Sequence, residues 1–237
     1  MATLTSNRNR FTTEPYEFLS RVPLLASVPT AKLAELAQLL VDRTYRRNEI
    51  IFHRGDPGGS LHIVETGQVK ILIQSEDGEE LLVDILKEGE VFGEMAVLDG
   101  YPRTATALAL RDTTTKMLGR EPFLKFLHSS AEVAVAVSLS LAERLRESDE
   151  RLAEIVFFDL SERLGRRLLR LARSYGRRSP EGIVLDIPLS QRELAAFVGA
   201  TRQSVNKALS QWERDGIVRR DGRSLILLDP QRLYQVV

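Results

Sequence analysis

Glu94 and Arg103 stand nine residues apart in FGEMAVLDGYPRTATA, residues 92–107. One is a carboxylate acceptor; the other is a planar donor of paired N–H groups. Small apolar residues and an Asp99-Gly100 turn lie between them. A Gly-containing turn ahead of a short helix offers backbone N–H groups to an anion. Arg103 can grip two phosphate oxygens at once, and Glu94 can accept hydrogen bonds from sugar hydroxyls. An acid for a sugar and a base for a phosphate on one short segment are what a nucleotide requires. The same two residues could instead pair with each other at the surface; their types alone fit either arrangement.

A second constellation lies in PLSQRELAAFVGATRQSVNKALSQWERDG. Ser190 with Glu193 makes a capping box. Leu194, Ala195 and Val198 form an apolar stripe, Gly199 suits a left-handed helix end, and Thr201 can cap the next helix. On that second helix Val205, Ala208, Leu209 and Trp212 fall on one side at 3.6-residue periodicity. Arg202, Gln203, Asn206 and Lys207 fall on the other, with no acid among them. This predicts a helix-turn-helix whose second helix reads base edges in the major groove. Ser190, Thr201 and Ser204 add hydroxyls at the helix starts. Downstream, IVRRDGRSLILL has a hairpin signal at Asp221-Gly222. It is a wing in which Arg219, Arg220 and Arg223 are expected to reach phosphates.

The rest of the 237 residues must position these groups. Between about 44 and 118, β-rich runs (EIIF, LHIVETG, QVKILIQ, ELLVDIL, ATALAL, TTKML) alternate with Gly-containing turns, which predicts an antiparallel jelly roll. Short helical patterns precede it, and residues 1–14 are expected to be disordered. About 130–156 form one long helix. In it Leu141, Leu145, Ser148, Leu152 and Ile155 recur at spacings of 4, 3, 4 and 3, the seam of a helix pair with a second copy. A short strand pair is expected at about 183–188. The net charge of zero conceals a split. Residues 1–159 carry 18 basic and 25 acidic residues (−7), and residues 160–237 carry 15 and 8 (+7). A basic C-terminal third suits a polyanion. The chain has no cysteine, which excludes disulfides and thiolate metal sites and fits a reducing cytoplasm. No apolar run is long enough to span a bilayer. His53, His62 and His128 show no ligand spacing and are expected to be surface or half-buried histidines. No catalytic constellation is present.

Phe92-Gly93-Glu94-Met95 followed by Arg103-Thr104-Ala105 resembles the phosphate-binding cassette of cyclic-nucleotide-binding domains. With the long helix and the winged helix-turn-helix, residues ~20–230 resemble the cyclic AMP receptor protein and FNR superfamily of bacterial transcription regulators. The resemblance implies an α+β chain. A jelly roll spans 15–129, a dimerisation helix 130–158 and a winged helix-turn-helix 159–237. It implies an allosteric cyclic nucleotide, cyclic AMP first, and no metal. Phe92, Gly93, Glu94, Met95, Arg103, Thr104 and Ala105 would hold sugar and phosphate, and Val83 would line the pocket. Arg144 and Ser148 would face the ligand, with Asp149 standing where the family has a hydroxyl. The implied partners are a second copy of the chain, palindromic double-stranded DNA and RNA polymerase, with no membrane. Arg202 would read a guanine. The alternatives are cyclic GMP, cyclic di-GMP or no ligand. The regulatory subunit of a cyclic-nucleotide-controlled enzyme is the reading from another class.

Overall fold

The computed structural model describes residues 15–26, 28–185, 187, 189–222 and 224–235. The expected disorder of 1–14 and the expected phosphate contact of Arg223 lie outside the described residues.

Two four-stranded antiparallel sheets face each other. One runs β1 (Val41–Tyr45), β8 (Thr113–Gly119), β3 (Ser60–Thr66), β6 (Val91–Phe92). The other runs β2 (Ile50–Phe52), β7 (Thr106–Ala109), β4 (Val69–Gln74), β5 (Glu80–Leu86). The period of two along β3 divides its side chains between two cores. Leu61 and Ile63 pack outward with Leu118 against helices α1 (Pro15–Ser20), α2 (Thr30–Ala37), α4 (Arg120–Ser129) and α5 (Ala131–Phe157). Val64 points inward to Val69, Leu86, Phe92 and Ala107. His62 points the same way and is buried, not half-buried or at the surface as expected. Its ring stacks on Phe92 and hydrogen-bonds Thr115 Oγ1 at 3.1 Å. Burial, helped by the nearby positive charge of Arg103, lowers its pKa to about 4.

Helix α5 carries apolar residues on two faces. Val133, Ala136 and Val137 are buried against the jelly roll, and Leu141 packs half-buried beside them. Leu141 packs on the chain's own core with part of its surface and stands on the same stripe of the helix as Leu145, Leu152 and Ile155. Leu145, Leu152 and Ile155 are exposed along one stripe, and Val135 and Leu139 are exposed on another side of the helix.

The C-terminal part holds α6 (Leu160–Tyr175), α7 (Gln191–Val198), α8 (Arg202–Arg214) and α9 (Pro230–Gln235). Its sheet runs β11 (Val218–Asp221), β12 (Ser224–Leu227), β10 (Gly182–Leu185), β9 (Gly176–Ser179). The expected strand pair thus lies a few residues earlier than its apolar run suggested. β10 pairs with β12, so the wing belongs to a four-stranded sheet. Among the described residues no single helix is long and apolar enough to cross a membrane.

The C-terminal core extends into the jelly roll: Leu72, Leu82 and Ile85 of β4–β5 and Leu110 pack with Leu164, Leu194 and Trp212 in one cluster. Lys70 Nζ donates to Glu193 Oε1 at 2.5 Å, and Tyr175 Oη donates to the Ile85 carbonyl at 2.7 Å. Burial alone would raise the pKa of Glu193, but bonds from Lys70 and Ser190 reverse the shift and hold it ionised.

Candidate functional site

Strand β6 delivers the chain to Gly93, which turns it into the short helix α3 (Glu94–Asp99) with φ of +79°. Glycine is needed there twice over. The dihedral is left-handed, and a Cβ would lie 2.5 Å from Arg103 Nη1. The guanidinium can therefore lie flat against the turn. Its Nη1 donates to the Gly93 carbonyl at 2.7 Å and its Nη2 to the Ser60 carbonyl at 2.5 Å. It also stacks over the Phe52 ring at 4.1 Å. Burial lowers its pKa, opposed by Glu94 and Asp56. Arg103 Nε is buried without a partner.

Glu94 does not pair with Arg103. Its Oε1 accepts from Arg144 Nη1 at 2.6 Å, a residue 50 positions along on α5. Arg144 also donates to the Val91 carbonyl. Glu94 Oε2 is buried and unpartnered. Both orphaned atoms belong to side chains lining one cavity of about 590 Å³. An unpaired buried polar atom is costly, and a ligand carrying hydroxyls and an anion would satisfy both.

Val83, Phe92, Gly93, Glu94, Met95, Arg103, Thr104, Ala105, Arg144 and Ser148 all line this cavity. Asp149 does not; it is exposed on α5. Ser148 Oγ donates to its own helix at the Arg144 carbonyl, 3.0 Å away. Two groups that sequence reasoning missed complete the wall. Ile71 and Ile73 supply an apolar side. Arg151 donates to the Val83 carbonyl at 2.9 Å and to Asp84 Oδ2 at 3.0 Å. The signal for Arg151 was its spacing of seven from Arg144 on the same helix. Val83 is itself the extra residue of a β-bulge: Ile71 pairs with Asp84 and Leu72 with Leu82, which leaves Val83 unmatched. The bulge aims it at the cavity. Strands β4–β5 therefore have two faces. Ile71, Ile73 and Val83 face the cavity, and Lys70, Leu72 and Leu82 face α7 and its core.

At the other end, Ser190 Oγ accepts from the Glu193 amide at 3.2 Å and Glu193 returns the bond at 2.8 Å. Gly199 takes φ of +63°, and Thr201 Oγ1 accepts from the Ser204 amide at 3.1 Å. Val205, Leu209 and Trp212 are buried; Arg202, Gln203 and Lys207 are exposed and Asn206 half-buried. Arg219 is ion-paired to Glu181 on the β9–β10 turn, and Arg220 to Glu213 on α8. Arg220 also reaches Ser210 Oγ at 3.2 Å. Each guanidinium is partly exposed and paired with an acid outside the local pattern of the wing.

Residues 42–130 match the cyclic nucleotide-binding domain family, and residues 162–236 match the Crp-like helix-turn-helix domain family. The chain is 31% identical over 217 residues to the CRP-like cAMP-activated global transcriptional regulator of Mycobacterium tuberculosis, covering 92% of this chain and 97% of that one. The chain belongs to the CRP family of cyclic-nucleotide-binding transcription regulators. A second CRP-family relative, the cyclic AMP receptor protein of Thermus thermophilus, is 34% identical over 177 residues, covering 75% of this chain and 79% of the relative. Among solved structures, the c-di-GMP responsive global regulator CLP of Xanthomonas campestris shares the fold. Its TM-score is 0.75 at 23% identity, over 84% of this chain and 99% of CLP. In this CRP-family chain the first cavity lies in the cyclic-nucleotide-binding region, and α7–α8 form the DNA-binding motif.

Proposed function

We propose that cyclic AMP is the effector of this CRP-family regulator. Its phosphate meets Arg103 and the turn at Thr104–Ala105, its ribose meets Glu94, and its adenine lies beside Ser148. The observation that carries this is the pair of orphaned buried atoms, Arg103 Nε and Glu94 Oε2, in one cavity. A single phosphodiester suits the charge: Arg144 is committed to Glu94 and Arg151 to Asp84, so one cation remains for phosphate. Adenine suits the hydroxyl. The Ser148 proton is used by the Arg144 carbonyl, so Ser148 can accept from the adenine amine. Asp149, brought in from a second copy, could likewise accept. The relatives named as responding to cyclic AMP point the same way.

The working form is a homodimer joined along Leu141, Leu145, Ser148, Leu152 and Ile155 of α5, of which Leu145, Leu152 and Ile155 stand exposed. It binds a palindromic site through Arg202, Gln203, Asn206 and Lys207, and RNA polymerase is the further partner, all in the cytoplasm. The test is calorimetric titration of the purified chain with cyclic AMP, cyclic GMP and cyclic di-GMP. Cyclic AMP should bind tightest, at one per protomer. Equal or tighter binding of cyclic di-GMP would overturn the assignment.

A further inference from the structure

We propose that the DNA-binding half holds a second ligand site, for a single-chain amphiphilic anion of the fatty-acid type. A cavity of about 420 Å³ opens between α6, α7, α8 and the wing. Small-molecule sites run from about 300 to 1,000 Å³. Its floor is Leu168, Leu171, Leu185, Leu194 and Leu209, all buried core side chains, with half-buried Leu225 on one wall. No charged or amide group belongs to that floor. Its mouth carries Arg192, Arg202 and Arg220. Glu213 compensates Arg220. Among the described residues Arg192 and Arg202 make no ion pair and no acid lines the cavity.

An apolar floor under a cationic mouth selects by both ends of a ligand. An alkyl chain would remove leucine surface from water, and an anionic head would sit among guanidinium groups suited to carboxylate or phosphate. A nucleotide has too little apolar surface for this floor. A neutral hydrocarbon would leave the mouth unused. The site shares no lining residue with the cyclic-nucleotide cavity. It does share Arg202 with the recognition face of α8, so head group and DNA would compete for one side chain. Only this competition rests on the placing of Arg202 against DNA; binding itself does not.

The chain's single tryptophan reports on the site: Trp212 is buried on α8, three residues from Leu209. The full chain, saturated with cyclic AMP, is titrated with dodecanoate below its micelle concentration while tryptophan emission is followed. A saturable change is expected with dodecanoate and none with dodecylamine. At ten times its dissociation constant, an exclusive competitor weakens DNA binding about elevenfold. Saturation by dodecyl phosphate but not dodecanoate would identify a phosphate head on the same kind of chain. Leu225→Phe, which fills part of the cavity without adding a second tryptophan, should abolish the change. Arg192→Glu, which alters only an exposed mouth residue, should weaken it and so keeps the test valid if the filled variant misfolds. Three results would each overturn the proposal: no saturable change with either anion, equal binding of dodecylamine, or unaltered binding in Arg192→Glu. Binding that persists in Arg103→Ala separates this site from the nucleotide cavity.

Discussion

The two charged regions of this molecule follow opposite plans. In the cassette Arg103 and Glu94 are 5% and 4% exposed, each already tied by part of its hydrogen-bonding capacity and left wanting by the rest. On α8 Arg202, Gln203 and Lys207 stand in water. The cassette lost its water when the chain folded, so a ligand that fits is rewarded and one that does not leaves buried atoms unpaired. The recognition face keeps its hydration and counterions until DNA displaces them, so its affinity depends on salt. Discrimination by unmet buried groups therefore sits at one end, and attraction by exposed charge at the other.

The largest effect should come from the buried end. Arg103→Ala should cost about 2–5 kcal/mol in cyclic-nucleotide binding, because it strips a desolvated partner from a charged ligand. Calorimetry that finds an unchanged dissociation constant would break the contrast. The same buried region should carry a pH signature. His62 is neutral in the fold, with a pKa of about 4, whereas an unfolded histidine takes up a proton near pH 6.5. Its contribution is present in full above about pH 6.5 and is lost as pH falls towards 4, on the order of 3 kcal/mol. Urea midpoints measured across that window should drop for the native chain and flatten in His62→Gln.

At the exposed end, Arg202→Ala should cost about 1–3 kcal/mol and relax preference at one base pair per half-site, read by fluorescence anisotropy. Gln203→Glu should change preference more than strength. A carboxylate only accepts, so a randomised half-site library should shift towards a G·C pair at that position. Identical selections from both proteins would mean that Gln203 does not read DNA. The smallest effect is expected at the wing. Glu181→Gln should release Arg219 for a phosphate and steepen the salt dependence by about 0.9 per protomer. An unchanged slope would mean that Arg219 takes no part.

Most strands were legible because alternation and Gly-containing turns recur through residues 44–118. β1 was not, because VDRTY is polar and lies at a sheet edge, and β6 has only two residues. The acid and base of the cassette were legible as types. Their partners were not, since nothing local joins Glu94 to Arg144 or Arg219 to Glu181. The burial of His62 was readable: in LHIVE it shares a face with Val64, and the period of two assigns it inward. The stripe Leu141, Leu145, Ser148, Leu152 and Ile155 was legible from its spacing; that Leu141 also packs on the jelly-roll core was not, because nothing local marks what Val133, Ala136 and Val137 meet.

Strands β4–β5 touch the effector cavity with one set of side chains and α7 with the next. If occupancy of one face alters the other, thermodynamic linkage makes the influence mutual: whatever factor the effector adds to DNA affinity, DNA must add to effector affinity. A regulator sitting on its operator would then bind its nucleotide more tightly than one free in solution. It would stay loaded at nucleotide levels that empty the free protein, by a factor set through one hairpin.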